Sequence, residues 1–100
     1  MKILETSIKD VLIITPNVFK DERGYFLESF RKRIFSERGI DFDFVQDNIS
    51  KSCKNTIRGL HYQVGELPQR KLCQVLLGRV LDGAVDIRFG SPTFCKHIAT

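Results

Sequence analysis

The chain has 100 residues, 42% of them apolar and 28% charged, which is the composition of a globular domain and not of a disordered or membrane-embedded chain. That length holds one domain, residues 1–100, with a limited interior and modest expected stability. The net charge of +4 comes from dispersed basic residues, the densest cluster being Arg31-Lys32-Arg33, and no nucleic-acid module accompanies it.

A solvated helix face accounts for that cluster, and an anionic small substrate is an equally economical reason for the surplus charge. The N-terminus, Met1-Lys2-Ile3-Leu4-Glu5, meets a carboxylate before an apolar core develops, and no apolar run approaches a bilayer span. The expectation is a cytoplasmic protein with neither a membrane nor a nucleic-acid partner. Cys53, Cys73 and Cys95 form an odd set with no CxxC pair and no histidine at metal spacing, so they read as reduced thiols.

In chain order, Lys2 to Ser7 and Val11 to Thr15 predict two short strands joined by a turn at Lys9-Asp10, and Pro16-Asn17 breaks the pattern. Gly24 to Phe30 reads as a strand carrying Glu28 on a partly apolar face. Arg31 to Arg38 predicts a two-turn helix stopped by Gly39. Four further strands are expected: Phe42 to Ile49, Thr56 to Gln63, Arg70 to Leu77 and Val80 to Arg88. Turns are expected at Ser50-Lys51-Ser52, Gly65-Glu66-Leu67-Pro68 and Gly78-Arg79, the last as a tight hairpin. This pattern indicates a meander within an antiparallel sandwich or barrel. On the last strand Leu81, Gly83, Val85 and Ile87 form an apolar face. Asp82, Asp86 and Arg88 then look toward solvent or a polar cavity, with an Asp86–Arg88 pair as the plainer option.

The segment Thr56-Ile57-Arg58-Gly59-Leu60-His61-Tyr62-Gln63 holds the residues best suited to chemistry. Histidine exchanges protons near neutrality, and cationic neighbours suit an anionic substrate. Strict alternation sets Arg58 and His61 on opposite strand faces. Gly59 between them is a place for a bulge that re-aims a side chain; alternatively Arg58 serves a neighbouring subunit or pairs with a surface carboxylate.

The blocks Asp21-Glu22-Arg23-Gly24-Tyr25-Phe26, Gln46-Asp47-Asn48, Arg58-Gly59-Leu60-His61-Tyr62-Gln63, Lys71-Leu72, Asp82 to Arg88 and Ser91-Pro92-Thr93 together resemble the N-terminal half of the dTDP-4-dehydrorhamnose 3,5-epimerase family. The resemblance runs from about Pro16 to Phe94. It implies an all-β fold: the N-terminal half of a cupin-like double-stranded β-helix, or jelly roll, with one short helix. It also implies a dTDP-sugar substrate, a homodimer and no cofactor. The implied reaction removes the protons at C3 and C5 of dTDP-4-dehydro-6-deoxy-D-glucose and returns them on the opposite faces, giving dTDP-4-dehydro-L-rhamnose. Both protons are α to the C4 ketone, so a base and a cation at the ketone oxygen are needed.

By that resemblance His61 is the base and Lys71 the oxyanion stabiliser. Arg23 and Arg58 match positions that meet the pyrophosphate. Glu28, Gln46, Asp47 and Asn48 match positions at the nucleotide, and Phe26 stacks beside it. The family's tyrosine proton donor, a second histidine and the carboxylate that orients the base belong to its C-terminal half, which lies past Thr100. A non-catalytic dTDP-sugar-binding fragment is therefore the alternative reading. Gly83 and Cys95 depart from the family's pattern, which has a larger residue and a glycine there. A metal cupin would present a His-x-His pair, and Gln63 stands at its second position, so no metal is expected.

Overall fold

The computed structural model of the chain describes residues 1–66 and 69–100. Six short strands and one helix are formed among them: β1 (Lys2–Glu5), β2 (Leu12–Thr15), β3 (Val18–Asp21), β4 (Gly24–Leu27), α1 (Lys32–Ser36), β5 (Gly83–Val85) and β6 (His97–Ala99). They pair as three separate antiparallel ribbons, β1 with β2, β3 with β4 and β5 with β6. The all-β class with one short helix is thus the observed one.

The first ribbon forms where the β-branched runs predict it, with Lys2 opposite Thr15 and Glu5 opposite Leu12. Its connection is stapled by Thr6. The Thr6 hydroxyl lies 2.8 Å from the Val11 carbonyl oxygen and accepts the Ile8 N–H at 3.2 Å, and the Ile8 side chain above it is buried. The second ribbon contains a strand the sequence did not declare, since Pro16-Asn17 reads as a break and hides β3 behind it. Val18 faces Leu27 and Asp21 faces Gly24 across a two-residue loop, Glu22-Arg23. Gly24 takes φ +134°, which a side chain disfavours, and the Asp21 carboxylate accepts the Arg23 N–H at 2.9 Å, closing the loop from within.

Helix α1 is shorter than the expected Arg31 to Arg38, yet its stop is the predicted one. Gly39 adopts φ +76°, its N–H donates to the Ser36 carbonyl, and the Ile40 N–H reaches back to Phe35, each at 2.9 Å. Those two bonds are the Schellman pattern, in which apolar side chains before and after the glycine meet. Phe35 and Ile40 occupy those positions, and both are buried. Phe30 packs edge-on against Phe35 and Phe44, Phe42 packs against Phe44, and the Arg70 guanidinium lies 4.6 Å from the Phe42 ring centre.

Between Ile40 and Asp82 the structure departs from expectation. None of the strands expected at 42–49, 56–63 and 70–77 is formed among the described residues, and the Gly78-Arg79 hairpin has no paired arms. The expected turn at Gly65-Glu66-Leu67-Pro68 lies partly outside the described residues. Among the described residues of this stretch, the one main-chain hydrogen bond found joins Thr56 N–H to Cys53 O at 3.3 Å. A strand is defined by its neighbour. These segments carry the right side chains but have no adjacent strand to receive their N–H and C=O groups.

The expected strand Val80 to Arg88 contracts to Gly83–Val85, although backbone bonds from Asp82 to Thr100 and from Asp86 to Lys96 and Cys95 extend the ladder on both sides. Its faces are the reverse of the sequence reading. Leu81 is 82% exposed and Ile87 49%, whereas Asp86 is 4% exposed.

Candidate active site

The second ribbon gathers the first expected ligand residues. Arg23 and Phe26 line an open groove of about 450 Å³ together with Phe19, Lys20, Asp21, Gly24 and Tyr25. Phe19 stands directly opposite Phe26 in the ribbon, and Lys20 opposite Tyr25. Sequence reading missed Phe19, Lys20 and Tyr25 as groove residues because it missed β3; the pairing register is the signal that finds them. The Arg23 guanidinium is held by Asp21 through Nε at 3.2 Å and Nη2 at 2.6 Å. That cation keeps the Asp21 carboxyl below its ordinary value. The pair is exposed, so a phosphate can compete for the arginine's remaining donors.

The other expected residues stand apart from this groove. Glu28 is engaged by Arg31, with Nε at 2.9 Å. Gln46 and Asn48 bond to each other, Nε2 to Oδ1 at 3.3 Å, which sets two amides side by side with Asp47 between them in the chain. Arg58 donates from Nε to the Ser52 hydroxyl at 2.9 Å, so its planar end is steadied by a neutral partner. His61 and Lys71 are exposed, and neither takes part in a side-chain hydrogen bond or ion pair found among the described residues. Neither lines the groove at β3–β4. The structure therefore joins Arg23 with Phe26, and Gln46 with Asn48, and leaves His61 and Lys71 open to water.

A second polar centre is better built than any of these. Asp86 accepts from Arg88 Nε and Nη2, each at 2.9 Å, from the Ser91 hydroxyl at 2.6 Å and from the Thr93 hydroxyl at 2.5 Å. Arg88 continues outward to the Asp10 carboxylate at 3.0 Å and the Lys9 carbonyl at 3.2 Å, tying the β1–β2 loop to β5. The Arg88 guanidinium first, then the two hydroxyls, hold the Asp86 carboxyl far below the usual carboxylate range. Arg88 is in turn held more firmly protonated by Asp86. An apolar groove of about 250 Å³ between Ile8, Val11, Val85 and Ile87 lies beside this knot. All the carboxylate's partners are satisfied internally, so the knot is a tie between elements.

Three antiparallel ribbons with one short helix are an all-β arrangement, consistent with a cupin-like fold in which several strands are unpaired. The family model for dTDP-4-dehydrorhamnose 3,5-epimerases matches residues 5–100, and the chain belongs to that family. It is 52% identical over 99 residues to the dTDP-4-dehydrorhamnose 3,5-epimerase of Shigella flexneri, covering 98% of this chain and 55% of the relative. It is 55% identical over 99 residues to that of Salmonella typhimurium, covering 98% and 54%. Among solved structures, the enzyme from Elizabethkingia anophelis superposes with a TM-score of 0.90 at 50% identity, over 100% of this chain and 55% of that one. The enzyme from Bacillus anthracis, crystallised with TDP and PPi bound, gives 0.94 at 42% identity over 99% and 57%. The chain spans about half the length of these relatives. The superposition takes in the described residues between Ile40 and Asp82, where no ladder is formed.

Proposed function

We propose that this chain serves the epimerisation of a dTDP-4-keto-6-deoxy sugar at C3 and C5 in dTDP-rhamnose biosynthesis, with His61 as the base and Lys71 as the cation at the ketone oxygen. The observation that carries the reading is the superposition on a family member holding TDP and PPi, at 42% identity over nearly the whole chain. In this reading residues 1–100 are one cupin-like unit. Arg23 and Arg58 receive the pyrophosphate, Phe26 packs on the base, and Glu28, Gln46, Asp47 and Asn48 dress the nucleoside. The location is the cytoplasm and the pathway end is surface polysaccharide; among the described residues no helix is long and apolar enough to cross a membrane.

Chemistry sets a condition on this reading. An enolate formed beside an imidazole open to water gains little from Lys71, because a donor is worth far more where water is excluded. The site therefore needs further strands over His61 and Lys71, and an acid on the opposite sugar face. Further residues of the family's C-terminal half, or a second copy of the chain in a homodimer, supply that cover. The 100-residue chain by itself is then a dTDP-sugar binder with little turnover.

Calorimetric titration with dTDP tests the substrate class. Weak, salt-sensitive binding that Arg23→Ala removes is the expected result. A folded sample that evolves no heat with dTDP contradicts the proposal.

A further inference from the structure

We propose that Gly59 is a positioning residue for His61, required because its missing side chain leaves the space in which the imidazole lies. The inference rests on the reading of His61 as the base and extends it to a residue that touches no substrate. Two observations carry it. Gly59 adopts φ +110°, in the region closed to most side chains. A Cβ built on it would stand 2.9 Å from His61 Nδ1, 3.3 Å from the His61 main-chain nitrogen and 3.7 Å from Cε1. The Nδ1 edge of the ring thus lies where a side chain at residue 59 would stand, and in this reading Nε2 is the nitrogen that meets a substrate.

Glycine here has a different task from the other left-handed glycines of the chain. At Gly24, Gly39, Gly65, Gly78 and Gly90 an added Cβ would meet nothing within 4 Å, so their backbone angle alone calls for glycine. At Gly59 the angle and the contact coincide. His61 is exposed and makes no side-chain hydrogen bond among the described residues, so the space that Gly59 leaves open is the nearby feature that bears on where its ring lies. Because Gly59 lies two residues before His61, the constraint is local and needs no other element in place. A base must sit within hydrogen-bond reach of the proton it removes, and a displacement of about 1 Å costs about 10²-fold in rate.

The test compares ¹⁵N-labelled chains carrying Gly59→Ala and Gly65→Ala, the latter a glycine at φ +98° with nothing within 4 Å. Long-range proton–nitrogen spectra report the ring nitrogens of the two histidines, His61 and His97, with His61→Asn giving the assignment. The proposal expects Gly59→Ala to shift the His61 ring signals and to change the balance of its Nδ1–H and Nε2–H forms. Gly65→Ala should leave both at parental values, and His97 should not move in either. Parental His61 signals in Gly59→Ala overturn the proposal. Should Gly59→Ala lose the folded spectrum, a chain ligated at Cys53 with D-alanine at position 59 keeps the test open. D-alanine accepts positive φ and leaves the Nδ1 space empty, so a parental His61 ring is expected and a displaced one is contrary. Where sugar exchange is followed, Gly59→Ala should lower deuterium entry at C3 and C5 about 10²-fold with dTDP binding unchanged. A ring that moves while His61→Asn exchanges deuterium normally would leave the Gly59 contact standing and remove the base assignment instead.

Discussion

Asp86 and Cys95 show how single residues hold the C-terminal part of the chain. Asp86 is nearly inaccessible and has five donors, from Arg88, Ser91 and Thr93. A carboxyl whose folded pKa lies below its unfolded value of about 3.9 contributes stability that is fully present above that value and is lost as pH falls toward the folded one. Acid titration followed by β5–β6 amide signals should therefore show no change from this group between pH 7 and about 5, and weakening below about pH 4. Asp86→Asn should abolish that acid limb and lower the melting temperature at neutral pH, because Arg88 then keeps only Asp10 as a charged partner. An acid limb identical in Asp86→Asn would contradict this account. Cys95 sits at φ +64° while donating its N–H to the Asp86 carbonyl at 2.8 Å. The left-handed conformation costs a side chain about 1–2 kcal/mol, and glycine's extra chain entropy returns about 0.5–1 of it. Cys95→Gly should accordingly stabilise the chain by about 0.5–1 kcal/mol in denaturant titration.

Elements were legible from sequence where their partner is close in the chain. The β1–β2 ribbon and the Gly39 helix stop are local events, and both came out near their expected places. Strand β3 was not legible because its turn, Glu22-Arg23, lacks the Asn-Gly signature and its first residue follows a Pro-Asn break. The strands expected between Phe42 and Leu77 have the correct composition and no ladder, since pairing is a property of two segments and composition describes one. At the site, alternation set Arg58 and His61 apart, and the sequence offered either a bulge at Gly59 that re-aims one of them or a separate task for Arg58. The direction in which His61 lies emerged only with the backbone angle at Gly59. The α1 segment buries Phe35, 2% exposed, against Phe30, which in turn meets Phe44. Phe35→Ala should remove about 3 kcal/mol from its local stability, read as faster amide exchange at Gly39 and Ile40. Exchange there at the parental rate would mean that α1 is held by its ion pairs, with Glu37 and Asp43, and not by its aromatic core.

At the scale of the whole molecule, surface area is the informative quantity. The chain exposes 9662 Å². A folded monomer of 11.5 kDa should expose roughly 5,800 Å². The radius of gyration is 15.5 Å, against about 13 Å for a compact domain of this length. Phe89 and Leu77 are 97% and 96% exposed, and Val45, Ile57 and Leu81 are also largely open to solvent. Apolar exposure of this extent, together with unpaired backbone, favours association. Sedimentation equilibrium should find a dimer or larger species whose population rises with concentration, and a cooperative, concentration-independent monomer would contradict that. The central claim is that His61 removes the protons α to the ketone. Solvent deuterium entry at C3 and C5 of dTDP-4-dehydro-6-deoxy-D-glucose measures it most directly, in the chain completed by the family's C-terminal half. The account predicts that His61→Asn abolishes entry at both carbons with dTDP binding nearly intact, and entry at the parental rate would contradict it.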